Sequence, residues 1–350
     1  MIQRLFFISL LAIASSCKDE TPSTGEQTIH QRLSYLYNLK SFINAEVWPG
    51  FTDKRFDLPL VYYTDSVCYV ANPTEYFVQS KKPTLVFTTR DLEVYKTPLL
   101  DSIPFHMETS VTFGDSSDAY NYKSPFMNCS SFEITQKTIP DVNSTEQWST
   151  MVLHEYFHGF QFKHPAFLEY FQKNFTFAED SLKRMYKRND WFKSSVDTEN
   201  RLLLAALETN EPARIGELID SLFIVRGSRR DRATRELGVD VRTMEQIFET
   251  MEGTARYAEY SLYSTFATKT PDDALAKVDS SYHSYEYFRD YNIEKDQWLY
   301  LSEKTTGYFY ATGFNMVRLL EKLKVDYKER LFYEGALSLE GLLRNYRERE

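Results

Sequence analysis

Two histidines four residues apart, with a glutamate directly after the first, constrain this chain more than any other feature. Residues 154–158 read HEYFH. Ser144 and Gln147, ahead of this segment, have the form of a helix-capping box. Pro165 follows it, so the sequence predicts a helix that ends near residue 163. Residues i and i+4 share one face of a helix, and the two imidazoles can therefore converge on one point.

The paired histidines favour a metal site. The imidazoles of His154 and His158 can bind one ion, and this spacing is typical of zinc (Zn2+). Glu155 projects about 100° away, where it can act as general base on a zinc-activated water without ligating. Six histidines in 350 residues make the pattern a rare coincidence, on the order of one in a hundred. The alternative is two histidines on a solvated or partly buried helix.

The first 16 residues predict a lipoprotein signal peptide. Arg4 precedes a mostly apolar run, 5–14, that is too short to span a bilayer. The run ends in Ala-Ser-Ser before Cys17, which resembles the bacterial lipobox, whose cysteine is acylated and becomes the mature N-terminus. Ala14 departs from that pattern, where leucine is usual. The alternative is an ordinary signal peptide cleaved near Ala14.

The residues after Cys17 predict where the protein is anchored. Residues 18–20 read KDE, which resembles the export tag of surface-exposed lipoproteins in some Gram-negative groups. Residues 17–30 therefore form a predicted lipidated N-terminus and tether, and we expect the protein on the bacterial outer membrane, lipid-anchored and surface-exposed. Later residues contain no apolar stretch long enough for a membrane span.

Composition and periodicity predict an α+β fold. A net charge of −9 argues against nucleic acid as a partner. Residues 31–140 form a predicted β-rich part, and residues 141–350 a mostly helical one. The predicted strands are Leu58–Tyr63, Val67–Val70, Thr84–Thr89 and His106–Phe113. The predicted helices besides that of the HEYFH segment are Ser34–Ala45, Ala166–Tyr186, Ser195–Leu207, Ala213–Val225, Arg242–Tyr263, Tyr308–Leu323 and Tyr327–Arg344.

Two segments resemble the gluzincin metallopeptidases, the class that includes thermolysin and the aminopeptidase N type. Residues 151–161, MVLHEYFHGFQ, look like their active-site helix, and residues 251–260, MEGTARYAEY, look like the helix that supplies a third ligand. The resemblance implies a zincin-like fold, with Glu252 as that ligand. The interval from His158 to Glu252 is longer than in the best-known members, which an inserted helical subdomain would explain.

The metzincin pattern does not fit. It needs a glycine and a third histidine at fixed spacing, but Gly159 comes too early and His164 abuts Pro165. We expect His164 to be a surface histidine at the helix end. Gln161 lies on the metal-facing side, where it either contacts the site or packs.

Four glutamates compete as third ligand, because Glu245, Glu249, Glu252 and Glu259 share one stripe of their helix. The alternative for each is a solvated charged face. A mid-helix glycine costs about 1 kcal/mol relative to alanine, so Gly253 predicts close approach of another backbone beside Glu252. We expect Glu259 to support a histidine or to pair with an arginine.

Several further residues have open roles. Tyr308 or Tyr310 resembles the oxyanion-stabilising tyrosine of related peptidases, with ordinary packing as the alternative. The strand of Glu108 is a candidate edge strand for pairing with an extended peptide. His106 and His283 are expected to be structural or surface residues, and the sequence leaves open whether Cys68 and Cys129 form a disulfide.

These features predict a surface-anchored zinc metallopeptidase that hydrolyses peptide or protein substrates, with Glu155 as general base. The alternative is a non-catalytic zincin-like binding lipoprotein that captures peptide or glycan. An intact Glu155 argues against it, because a binding protein has no chemical need for that carboxylate. A zinc-dependent hydrolase of a non-peptide amide is a third reading.

Overall fold

The computed structural model describes residues 23–111, 125–266, 272–283, 288–290 and 307–350. Its strands are β1 Leu60–Tyr63, β2 Val67–Ala71, β3 Thr84–Thr88, β4 Glu93–Pro98, β5 Met107–Ser110 and β6 Phe126–Ser130. Its helices are α1 Thr24–Phe42, α2 Glu75–Lys81, α3 Phe132–Thr138, α4 Thr145–Phe162, α5 Pro165–Asn174, α6 Glu179–Arg188, α7 Asp190–Glu208, α8 Pro212–Leu237, α9 Arg242–Phe266, α10 Asp273–Ala276, α11 Tyr308–Lys322 and α12 Leu339–Arg349. The predicted α+β class is confirmed.

The six strands form one mixed sheet in the order β3-β4-β2-β1-β6-β5. β1 pairs antiparallel with β2 and parallel with β6, and β5 closes one end, antiparallel to β6. Among the described strands, that of Glu108 is therefore at an edge of the sheet, which agrees with its candidate role. Residues 112 and 113 lie outside the described residues. One face of the sheet, which includes Leu60 and Tyr62, belongs to the main core.

The two cysteines lie on opposite faces of this sheet. Cys129 is opposite Tyr62 and packs in the main core, whereas Cys68 is opposite Tyr63 and packs in a smaller cluster with Phe77 of α2. Side chains on opposite faces point apart, so they cannot form a disulfide without backbone movement. Both are buried free thiols in the described part of the chain.

The N-terminal helix begins earlier than the sequence predicted. α1 starts at Thr24, with Ser23 accepting a hydrogen bond from the Glu26 N–H, so the end of the predicted 17–30 tether is helical. Polar contacts hold its first turns: Glu26 pairs with Lys96 at 2.6 Å, and the Thr28 hydroxyl donates to the Val278 carbonyl. The predicted signal peptide, 1–16, and Cys17 lie outside the described residues.

Three further helix predictions need correction. The segment 166–186 is two helices, α5 and α6. α8 runs on to Leu237 rather than ending near residue 225. Residues 328–336 form successive turns and bends, and the helix of this segment, α12, begins only at Leu339. Tyr327 and Phe332 contact the Trp48 ring from the segment before it. β4, β6, α2, α3 and α10 were not predicted from the sequence.

α9 and α11 cross with no side chain between their backbones. A Cβ built on Gly253 would lie 2.6 Å from the Gly313 Cα, and one built on Gly313 would meet the Glu249 backbone equally closely. The close approach that the sequence predicted beside Glu252 is therefore present, and its partner is a second glycine. Within the described ranges, no helix has both the length and the apolar character of a membrane span.

We predict that Gly313→Ala destabilises the protein by about 1–3 kcal/mol, because the added methyl group forces two packed helices apart. Gly227→Ala is the matched control. Gly227 also lies within a helix, but a Cβ there meets nothing within 4 Å, so the same change should stabilise by up to about 1 kcal/mol. Urea unfolding of both variants measures the difference, and equal stability changes would contradict the close crossing.

Candidate metal centre

α4 carries both histidines and is firmly defined at its start. The Ser144 hydroxyl accepts from the Gln147 N–H at 3.2 Å, and the Gln147 side-chain oxygen accepts from the Asn143 N–H at 2.9 Å. This reciprocal cap begins the helix where the sequence predicted. His154 and His158 follow on the buried side that faces α9.

The two imidazoles converge on one carboxylate oxygen of α9. The Nε2 atoms of His154 and His158 each lie 3.3 Å from Oε2 of Glu252. Among the described residues, these three form the one group of at least three side chains whose metal-binding atoms lie together, all within 4.8 Å. A tetrahedral ion bound at about 2.1 Å separates its ligand atoms by about 3.4 Å, which matches the two histidine–Glu252 distances, so this group could hold a metal ion.

The charges of the three side chains reinforce one another. Burial opposes the ionisation of Glu252, but the charge of His158 and hydrogen bonds from both imidazoles lower the pKa of its carboxyl below the usual range. Burial also opposes protonation of His158, yet Glu252 raises the pKa of that imidazole to about 9. A carboxylate that attracts protons to two imidazoles attracts a cation at the same point.

The outward ring nitrogens have their own partners. Nδ1 of His154 lies 3.0 Å from a Glu259 oxygen, and Nδ1 of His158 lies 2.9 Å from the Gln161 side-chain oxygen. The Gln161 amide donates to Thr254 and to the Met251 carbonyl, both at 2.8 Å. These acceptors hold a proton on each Nδ1, so the Nε2 atoms are the ring nitrogens that face Glu252 and could bind a metal ion.

Glu245 and Glu249 are directed away from the histidines. The Glu249 carboxylate accepts two hydrogen bonds from Arg226, each 2.8 Å, and Glu245 accepts from Arg229 at 2.6 Å and Arg230 at 2.7 Å. The solvated face considered for this stripe is wrong, because all four of its glutamates are buried.

The arginine–glutamate cluster, which we define by its seven buried members, was missed in the sequence. Its signal was the spacing of three arginines at i, i+3 and i+4 on α8, which puts them on one face. Glu199 of α7 and Glu340 of α12 complete the charges. The members of the cluster are Arg226, Arg229, Arg230, Glu199, Glu245, Glu249 and Glu340.

Glu155 follows His154 directly on α4 and is half-buried, whereas both histidines are buried. Burial raises the pKa of its carboxyl, and the charges of His158 and His154 act in the opposite direction. Its backbone carbonyl accepts a hydrogen bond from the Thr109 hydroxyl of β5. The edge strand is thereby fixed against the turn of α4 that carries Glu155.

The two candidate tyrosines have different neighbours. Tyr308 is fully buried and its hydroxyl donates to Glu245, so the structure does not bring it to the histidines. Two residues later on α11, Tyr310 faces another direction, because successive helical residues turn by about 100°. Its ring centroid lies 6.3 Å from that of His154, with the planes 23° apart.

The remaining histidines have structural partners. His106 is buried between Asp101 and Glu108, at 3.0 and 2.8 Å. His164, expected on the surface, is buried: its Nδ1 lies 2.8 Å from the Phe160 carbonyl oxygen and its ring stacks on Phe56. The backbone N–H of His283 donates to Glu146, as fits a structural residue.

No protein-family model matches this chain, and neither a curated protein nor a solved structure matches it.

We predict that Glu252→Gln weakens zinc binding by far more than the roughly 10–100-fold typical of an outer partner, because a direct anionic ligand is lost. Glu259→Gln should fall within that range. Glu249→Gln is the matched control one turn earlier, and it should leave zinc affinity unchanged. Competition titration against a chromophoric chelator measures all three. A site emptied by Glu249→Gln or Glu259→Gln instead would show that the ligand is misassigned.

Proposed function

We propose that this chain is a zinc-dependent metallopeptidase of the gluzincin type, with a zincin-like active site. The observation that carries the proposal is the convergence of His154, His158 and Glu252, with the less buried Glu155 directly after His154. Two imidazoles and one carboxylate from the protein are a ligand set typical of catalytic zinc, in which one position is kept for water or substrate.

In this proposal, His154, His158 and Glu252 hold the ion, and Glu155 moves the proton. Bound zinc supplies Lewis acidity, which lowers the pKa of a water to about 7. Glu155 accepts a proton from the attacking water and then donates it to the leaving amine.

Tyr310, whose ring lies beside that of His154, supports the same chemistry. Burial and the nearby charges of Glu252, Glu179 and Glu155 raise the pKa of its phenol well above the usual range. The phenol therefore stays protonated at neutral pH and can donate a hydrogen bond to the oxygen that gains charge in the reaction. Tyr308 has no such role in this proposal, because its hydroxyl is bonded to Glu245.

The edge position of β5 favours a peptide as the substrate. An edge strand leaves one row of backbone N–H and C=O groups without a neighbouring strand, and an extended peptide can pair with them. Thr109 of β5 is bonded to the backbone of Glu155, so a peptide added at this edge would run past the general base. A peptide or protein substrate explains this placement better than a small amide would.

We predict that Glu155→Gln lowers peptide hydrolysis about 10²–10⁴-fold while zinc binding is retained, because an amide accepts no proton. Glu169→Gln, on the exposed side of α5, is the control and should keep the wild-type rate. Chelation should abolish wild-type hydrolysis, and added zinc should restore it. Digestion of a peptide library, analysed by mass spectrometry, measures all of these.

Two results would count against this proposal. A wild-type rate in Glu155→Gln would remove its assigned role. Zinc binding by the wild-type chain without cleavage of any peptide in the library would favour the non-catalytic binding lipoprotein.

We also propose that Cys17 is lipidated and anchors the enzyme to the outer surface of the bacterial outer membrane. The proposal rests on the lipobox resemblance of the residues before Cys17 and on the polar residues after it. Lipoprotein processing adds more than one acyl chain, and stable anchoring needs more than one.

We predict that Cys17→Ser shifts the protein from the membrane fraction to the soluble fraction. Cys68→Ser is the matched control, because Cys68 is a buried thiol of the sheet, and this variant should stay with the membrane. Fractionation with a high-salt wash, followed by immunoblotting, measures both. Retention of the Cys17→Ser protein after the wash would argue for a different anchor.

A further inference from the structure

Arg256 lies on α9 one turn after Glu252, and it contacts two parts of the candidate metal centre at once. Its Nη1 atom donates to Oε2 of Glu259 at 2.6 Å. Its guanidinium lies 5.7 Å from the ring centroid of Tyr310 and 5.2 Å from that of Tyr260. The side chain is 11% exposed, so the charge is almost completely enclosed by these neighbours.

The contact with Glu259 reaches the metal ligand through one atom. Oε2 of Glu259 accepts from Arg256 and is also the oxygen that lies 3.0 Å from Nδ1 of His154. An oxygen held by a guanidinium has a fixed position, so the imidazole bonded to it has a fixed ring orientation. That orientation directs the Nε2 atom of His154 toward Glu252.

The contact with Tyr310 closes a ring of four residues. The Tyr310 ring is nearly parallel to that of His154, at 6.3 Å, and the guanidinium lies over the same tyrosine. The path therefore runs from His154 through Glu259, Arg256 and Tyr310 back to His154. Three helices, α4, α9 and α11, contribute to it. A planar cation with several donors can bond a carboxylate and lie against aromatic rings together.

We propose that Arg256 is a positioning residue that sets the orientation of His154 through Glu259 and the place of the Tyr310 phenol through its guanidinium plane. This inference rests on the proposed metal site and goes beyond it, because Arg256 neither ligates nor touches the reacting atoms. In this inference, Arg256 aligns both His154, a proposed ligand, and Tyr310, the proposed hydrogen-bond donor.

Arg232 provides a matched control. It makes the same two kinds of contact, a 2.8 Å hydrogen bond to Glu236 on its own helix and a guanidinium 4.3 Å from the Trp191 ring centroid. It is 41% exposed and lies on α8, away from the histidines. If zinc affinity fell only because an arginine–glutamate pair and an aromatic contact were lost, Arg232→Gln should lower zinc affinity as well.

The first test measures zinc affinity of the purified full chain in detergent, by competition with a chromophoric chelator. We expect Arg256→Gln to weaken zinc binding about tenfold or more, and Arg232→Gln to leave it unchanged. The double variant Arg256→Gln/Glu259→Gln should bind no more weakly than Glu259→Gln alone, because both changes break one chain of contacts. A purely structural role would not produce this non-additivity.

The second test uses Arg256→Lys, which also serves if Arg256→Gln does not fold. Lysine keeps a positive charge for Glu259 but lacks a plane to lie against Tyr310. We expect zinc affinity close to wild type, with peptide turnover at saturating zinc reduced. Turnover should fall no further in Arg256→Lys/Tyr310→Phe than in Tyr310→Phe.

Three results overturn the inference. Wild-type zinc affinity in folded Arg256→Gln removes the link to His154, as does full additivity with Glu259→Gln. Wild-type turnover in Arg256→Lys removes the link to Tyr310. Failure of the wild-type chain itself to bind zinc overturns the proposed function and this inference together, and it is visible before any variant is made.

Discussion

The place of Glu252 depends on two helices that meet backbone to backbone. Gly253 and Gly313 let α9 and α11 approach until neither position has room for a Cβ. The neighbouring carboxylate is thereby held where its oxygen lies 3.3 Å from both imidazoles. A carboxylate side chain is short, so a shift of its helix by one ångström would exceed the tolerance of a metal site. The glycine pair is therefore a condition for the site as well as for packing.

Buried charge fixes the same helix further toward its start. The seven-member arginine–glutamate cluster joins α7, α8, α9 and α12 through side chains almost without exposure. Removing so many ions from water costs several kcal/mol each, and it is tolerated because every charge has opposite partners at hydrogen-bond distance. Apolar residues could pack these helices too, but directional bonds allow fewer alternative registers. The cluster thus adds specificity to an interface whose other end carries the candidate metal ligands.

Sequence reasoning succeeded where a feature is local and failed where partners are distant. The cap at Ser144, the shared face of His154 and His158 and the close approach at Gly253 all follow from short-range rules. The length of α8 did not, because its arginines look like a solvated run until Glu199 and Glu340 are seen beside them. Likewise, no local rule tells Tyr308 from Tyr310. Their roles differ because Glu245 lies on one side of α11 and His154 on the other.

The four glutamates of α9 share one stripe yet divide into two pairs. Glu245 and Glu249 face the arginines of α8, whereas Glu252 and Glu259 face His154 of α4. Glu245 and Glu249 are thus counter-ions of arginines, whereas Glu252 is a candidate metal ligand and Glu259 bonds to His154. The division falls between Glu249 and Glu252, where Gly313 of α11 lies against the Glu249 backbone and Gly253. The chemistry of each carboxylate is decided by the charge of the helix that faces it. The spacing of the glutamates along α9 does not reveal that charge.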